Sequence, residues 1–220
     1  VKSRLHICHL TTAGGVEIIR WAKARGIDVT AEVTPHHLLL TDDLASSYDP
    51  VYKVNPPLRT ESDVHALREA LADGTIDIVA TDHAPHTKEE KEQVYTKAPS
   101  GGPMVQHALP ALLKMVQQGK ITIEKIVEKM SHNPAKIFKI EKRGFIKKGF
   151  YADLVLVDIS SPWTVTKDNI LYKCGWSPLE GYTFKSKVIH TFVNGNHVYN
   201  NGEFNESQKG EKLSFYQREF

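Results

Sequence analysis

Only two cysteines, Cys8 and Cys174, occur in 220 residues, too few for a disulfide framework and in keeping with a reducing compartment. Cys8 stands in an apolar segment and reads as a small buried hydrophobe rather than a reactive thiol. No charge dominates either: 28 Lys and Arg face 26 Asp and Glu, and a net +2 lacks the surplus that neutralises phosphates or grips anionic lipid. No apolar run approaches the roughly 20 residues that span a bilayer. The opening VKSRLHICHLTT has no long greasy core of a secretory signal. These absences point to a cytoplasmic chain with neither a nucleic-acid nor a membrane partner. No internal repeat or low-complexity tract is visible. The basic stretch from Lys139 to Arg143, with Lys147 and Lys148, reads as a solvated face, and Trp21, Trp163 and Trp176 as packing residues. What is there, 40% apolar and 25% charged, is an ordinary globular composition in about one and a half average domain lengths.

Short β-like runs alternate with helical patterns through the first part, which predicts parallel strands joined by crossover helices. Strands are expected at 5–8, 29–33 and 76–81. Thr12 can cap a helix over 13–25 stopped by Gly26, and Thr60 with Asp63 resembles a capping box for a helix stopped by Gly74. Ile76, Ile78 and Ala80 should share a side with Asp82 by strand alternation. Further helices are predicted near 104–118 and 123–130, and Asn133-Pro134 opens a short one. From Gly144 the style turns to β-branched and aromatic residues, with Asn194-Gly195 as a hairpin turn. The expected divisions are an α/β part over 1–140, a small β domain over 141–203, and a polar extension over 204–220. Three β/α units cannot close a barrel, so the first part is either an unusually small α/β domain or the later part of a larger barrel.

Metal-ligand residue types stand just past the ends of the expected strands, where α/β proteins place their sites. The clusters are His6-Ile7-Cys8-His9, Pro35-His36-His37, Lys53-Val54-Asn55-Pro56-Pro57, and Thr81-Asp82-His83-Ala84-Pro85-His86. Imidazole and carboxylate are ligands zinc accepts, and a catalytic zinc keeps one position open for water. His9 and Asp82 suit that, while His6 is expected to point into packing. The competing reading makes Asp82 a cap of the turn that follows it.

In order and spacing, HICHLTT, AEVTPHHLLL, KVNPPLR, and IDIVATDHAPH with Glu90-Lys91, then APSGGP, GFYADLVLVD and VNGNHVY, resemble the later motifs of the long bacterial dihydroorotases. These are cyclic amidohydrolases of pyrimidine synthesis. The resemblance covers nearly the whole chain. It implies a partial (β/α)8 TIM-type barrel, its last three β/α units, with a C-terminal β-sandwich. By position, His9 resembles the strand-six metal ligand, and Asp82 the strand-eight aspartate that binds metal and shuttles a proton. Asn55, His86, Ser100 and Gly101 resemble the groups that hold the pyrimidine ring and its carboxylate. His36 and His37 match the motif, but no ligand role is assigned to them, only loop or supporting structure. Zn2+, binuclear in a complete enzyme, is the implied cofactor, and dihydroorotate with N-carbamoyl-L-aspartate the small-molecule substrate pair. A homodimer is compatible with the resemblance.

The chain departs from the family pattern in having no His-x-His pair, no strand-four carboxylated lysine or aspartate, and no strand-five histidine. It is therefore expected to be the C-terminal half of a dihydroorotase, inactive and unable to hold two metals tightly by itself. Two other readings stand beside this one. The first is a non-catalytic dihydroorotase-like partner subunit. The second is a related allantoinase or dihydropyrimidinase, disfavoured by Asn55 and by the DHAPH ending.

Overall fold

The computed structural model describes residues 3–216, whose first part is built on a three-stranded parallel sheet in the order β1-β2-β3. β1 (Leu5–Ile7) pairs with β2 (Val29–Val33), and β2 with β3 (Ile78–Val79). Between β1 and β2 runs α1 (Ala13–Ala24), started by Thr12, whose Oγ1 accepts the Gly15 N–H, and burying Val16, Ile19 and Ala22. Gly26, at φ 70, takes the left-handed turn that ends it. The histidine pair of PHHLL, expected in loop or supporting structure, lies in a short helix α2 (Pro35–Leu39). Thr34 caps it and Pro35 presets its first turn. α3 (Glu61–Asp73) is capped by Thr60 and stopped by Gly74 at φ 94.

β3 is shorter than the expected 76–81. The ladder does reach further through two single bonds, Asp77 N–H to the Ala31 carbonyl at 2.9 Å and Ala80 N–H to that of Val33 at 3.1 Å. Beyond it come α4 (Lys88–Lys91), with a Thr87/Glu90 capping box, and α5 (Ala108–Gln117). α5 starts four residues later than its pattern. The N–H groups of Met104 and Gln106, which a helix start would leave free, donate to His83 Nδ1 (3.1 Å) and the Tyr172 hydroxyl (3.0 Å). α6 (Ile123–Val127) continues through a π turn over Glu128–His132 into α7 (Asn133–Ile137), so two expected helices are one bent element.

The second part holds β4 (Leu154–Asp158), β5 (Trp163–Thr164), β6 (Thr183–Phe184), β7 (Lys187–Val193), β8 (Asn196–Asn200) and β9 (Glu203–Phe204). β4-β7-β8-β9 form one antiparallel sheet and β5-β6 a separate ribbon. Asn194 and Gly195, at φ 53 and 81, make the β7-β8 turn, and Asn201-Gly202 repeats the device before β9. The β5-β6 segment turns back onto the first part. Val165, Leu179 and Phe184 share an apolar cluster with Leu40, Leu58, Met104 and Ala111. The tail is not wholly free, because Glu141 N–H donates to the Ser214 carbonyl and Tyr216 N–H to that of Lys139, both at 2.9 Å.

Three burial expectations need correction. Cys8 is exposed, because it faces the open side of the sheet rather than the helices. Trp21 is 53% exposed on the outer face of α1, with the Arg25 guanidinium over its ring. His6 is only part-buried and polar in its contacts, as described below. No helix among the described residues is long and apolar enough to cross a membrane.

Candidate active site

His9 and Asp82 leave the ends of β1 and β3 in the left-handed region, at φ 54 and 46. That conformation is sparsely populated by residues with a Cβ and costs about 1 kcal/mol or more at each. It also breaks strand alternation, so the Ile76/Ile78/Ala80 pattern does not set where Asp82 points. The outcome is convergence: His9 Nε2 stands 3.6 Å from Asp82 Oδ1. β1 and β3 are not neighbours, since β2 lies between them, and its Glu32 fills the gap. Glu32 Oε1 lies 3.0 Å from His9 Nδ1, but off the ring N–H direction, leaving that nitrogen buried and without a hydrogen bond. Among the described residues no backbone N–H donates to Asp82, so the carboxylate does not cap the following turn. A separation of 3.6 Å is too long for a hydrogen bond. It suits two ligands of one divalent cation, and the unsatisfied imidazole and free carboxylate fit that use.

The other arm of Glu32 reaches His6, whose Nε2 is 3.0 Å from Oε2 while its Nδ1 meets Thr30 Oγ1 at 2.8 Å. One buried carboxylate thus braces both histidines of HICH. Glu32 was not among the residues singled out from sequence, although an acid facing Thr30 across one position of a buried strand, in VTAEV, was the available signal.

A second wall is made by three loops. His86 Nε2 is 3.1 Å from the Ser100 carbonyl, and the Trp176 indole N–H donates to the His86 carbonyl at 2.8 Å. Gly101, at φ 134, passes so close that a Cβ there would lie 2.6 Å from that of Ala84 and 3.2 Å from His86 Nε2. The Gly101 N–H donates to the Lys53 carbonyl at 2.9 Å, which links this loop to the one bearing exposed Asn55. Two lysines that sequence reasoning gave no role stitch the wall. Lys53 Nζ donates to the carbonyls of Tyr95 (2.7 Å) and Ala98 (2.6 Å). Lys91 Nζ donates to those of Lys53 (3.2 Å), Pro99 (3.0 Å) and Gly101 (2.9 Å). Burial, reinforced by the nearby Lys53 charge, lowers the Lys91 ammonium to about 8.

The two histidines of PHHLL are buried. His37 Nε2–H donates to the Pro56 carbonyl (3.0 Å), and its Nδ1 meets the Thr34 hydroxyl at 2.7 Å, so it props the Asn55 loop from behind. Burial lowers it to about 4 and pushes His36, whose Nε2 is unpartnered, well below the ordinary imidazole range.

A model of the amidohydrolase family matches residues 4–198. The chain belongs to that family. Its amidohydrolase sequence is 53% identical to the dihydroorotase of Streptomyces coelicolor over 197 residues, 89% of this chain and 46% of that protein. It is 46% identical to the dihydroorotase of Leifsonia xyli over 212 residues, 96% of this chain and 48% of that protein. Among solved structures, the L-hydantoinase (dihydropyrimidinase) of Arthrobacter aurescens superimposes with a TM-score of 0.86 at 33% identity. That match covers 92% of this chain and 46% of the other. The dihydropyrimidinase of Brevibacillus agri gives the same TM-score at 29% identity, with the same coverage. The fold is accordingly of the amidohydrolase, TIM-barrel type, and the chain spans about half the length of the relatives it matches.

Proposed function

We propose that this chain carries the later half of a dihydroorotase site, for the interconversion of N-carbamoyl-L-aspartate and (S)-dihydroorotate. The observation that carries the reading is the 3.6 Å approach of His9 Nε2 and Asp82 Oδ1 from two left-handed strand ends. The relatives named dihydroorotase, at 41–53% identity, support this substrate over the hydantoin and dihydropyrimidine rings of structural neighbours at 26–33%. On the same reading, the three parallel strands are the last three of an eight-stranded barrel. Residues 141–203 then form part of a β-sandwich, with 204–216 as its extension; the end of the expected 204–220 segment, 217–220, lies outside the described residues.

His9 and Asp82 would hold a divalent metal, zinc by the donor set. When bound, such a cation supplies a nucleophilic hydroxide near neutral pH and polarises the amide carbonyl. Asp82 takes the proton of the attacking water and delivers it to the departing ring nitrogen. Asn55 and His86 offer amide and imidazole donors to the ring and its carboxylate. The backbone at Ser100 and Gly101 completes that wall because Lys53, Lys91 and His37 hold the loops in register. Two protein ligands seldom hold zinc securely, so the chain alone is proposed to be inactive. The two free cysteines support a cytoplasmic setting. A homodimer is proposed through exposed Ile18 and Trp21 of α1, which sedimentation would test.

The deciding measurement is turnover. The zinc-supplied chain is assayed alone and with the first half of the Streptomyces coelicolor relative added, on dihydroorotate, hydantoin and dihydropyrimidine. Activity only in the mixture, and preferentially on dihydroorotate, is expected. Faster hydrolysis of either other ring overturns the substrate assignment, and turnover by the chain alone with two zincs bound overturns its inactivity.

A further inference from the structure

Lys139 and Arg143, which bound the basic stretch read from sequence as a solvated face, instead line a cavity of about 300 Å3. It lies between α7, the loop that follows α7, and the segment at Tyr216, and shares no residue with the His9–Asp82 site. Its walls carry three cations, Lys136, Lys139 and Arg143, and three aromatic rings, Phe145, Phe150 and Tyr216. We propose that this cavity binds a phosphate monoester bearing a planar aromatic ring, the chemistry of a mononucleotide.

The walls are fixed in place. At Gly144, φ 78, the loop passes so close to α7 that a Cβ would lie 2.6 Å from both the Ala135 Cβ and the Ser131 carbonyl oxygen. The next residue, Phe145, is backed by His132, whose ring stacks on it at 4.3 Å and 4°. Phe150 meets Phe145 edge-on, at 6.3 Å and 84°. The Tyr216 wall is held by its N–H bond to the Lys139 carbonyl and by an antiparallel bridge between Ile140 and Phe215. Charge then selects the occupant. Arg143 is neutralised by Asp153 and lies 4.0 Å over the Tyr151 ring, so it shapes the wall and adds no net charge. Among the described residues, Lys136 and Lys139 have no carboxylate partner. Two ammoniums match the roughly −1.5 to −2 charge of a phosphate monoester at neutral pH, whereas a single carboxylate would leave one of them uncompensated. The Lys136 Nζ stands 5.7 Å from the Phe145 ring centroid, which puts a phosphate contact beside an aromatic surface. Faces and edges of aromatic rings favour a flat aromatic base over a sugar or an aliphatic chain. The volume lies at the low end of small-ligand pockets, which fits a mononucleotide and not a polymer.

Equilibrium dialysis of the chain against AMP and UMP, with adenosine, uridine and inorganic phosphate in parallel, tests the assignment. Expected is saturable binding of at least one nucleotide at one equivalent, at least tenfold tighter than its nucleoside or inorganic phosphate. Lys136→Glu should weaken that binding at least tenfold by reversing a charge, and Tyr216→Ala should weaken it by removing a ring. Both side chains are exposed, so neither change disturbs the core, and far-ultraviolet circular dichroism checks that each variant is folded. Lys148→Glu, exposed and outside the cavity, and Asn55→Ala, on the opposite proposed site, should leave the affinity unchanged. Three results overturn the proposal: no saturable binding of either nucleotide up to millimolar concentration, inorganic phosphate binding as tightly as the nucleotides, or nucleotide binding that survives Lys136→Glu. Loss in Asn55→Ala with retention in Lys136→Glu would place the nucleotide at the Asn55 wall instead.

Discussion

Gly101 is a position where one atom decides geometry. Replacement by alanine would force a Cβ to within 2.6 Å of Ala84 Cβ at a backbone angle, φ 134, that L-residues avoid. Gly101→Ala should cost about 1–3 kcal/mol in thermal unfolding and displace the Ser100 carbonyl from His86. His107 is a second such position. It is fully buried among Trp163, Tyr172 and Phe184, Nε2 has no partner, and burial lowers its pKa to about 4. An unfolded imidazole takes up a proton near 6.5, so between about pH 6.5 and 4 the unfolded state binds a proton that the folded state refuses. Stability should therefore fall as pH drops through that window, by up to about 3 kcal/mol from this residue, and level off below it. Urea denaturation from pH 7 to 4 should show a shallower loss in His107→Gln than in the parent chain. The strand-end residues His9 and Asp82 were legible as chemistry-bearing because of their type and place. Their left-handed backbone was not, because nothing local in HICHLT or ATDHAP demands it.

Helix and loop elements owe their positions to a few side chains that serve two partners. Asp63 accepts the Thr60 hydroxyl (2.7 Å) at the start of α3 and the Ala13 N–H (2.9 Å) at the start of α1, and the latter bond chiefly holds its carboxyl below the usual range. Asp63→Ala should cost about 1–2 kcal/mol in a thermal melt, more than an isolated cap, because both helices lose a partner. The loop over 95–101 has no strand or helix to hold it and depends on two ammonium groups. Lys91→Met removes a donor from three carbonyls, of which that of Lys53 keeps the Gly101 N–H while those of Pro99 and Gly101 lose theirs. Limited proteolysis between Val94 and Gly101 should then speed up at least tenfold, and equal cutting in parent and variant would count against the stitching role. The starts of α1 and α3 could be read from Thr12 and Thr60, since capping is local. The start of α5 could not, because the groups that take the Met104 and Gln106 N–H bonds come from His83 and from Tyr172, 66 residues beyond Gln106.

Across the whole molecule, the apolar cluster around Phe184 welds the β5-β6 segment to the α/β part, across the division expected near residue 140. Phe184→Ala should cost about 3–5 kcal/mol and lower the melting of the α/β part along with it, as one transition. Two separate transitions would show instead that the parts are energetically independent. Strand and helix periods, caps, the Asn194-Gly195 turn and the ordered chemistry-bearing motifs were determined by sequence alone, because each depends on residues within one or two turns of chain. Tertiary structure alone decided that β2 stands between the two site-bearing strands and that Glu32 braces both His6 and His9. It also decided that Lys53 and Lys91 hold the loop wall and that Cys8 faces open solvent. Those outcomes depend on pairing register and burial between segments far apart in the chain, and no local pattern of residue types encodes them.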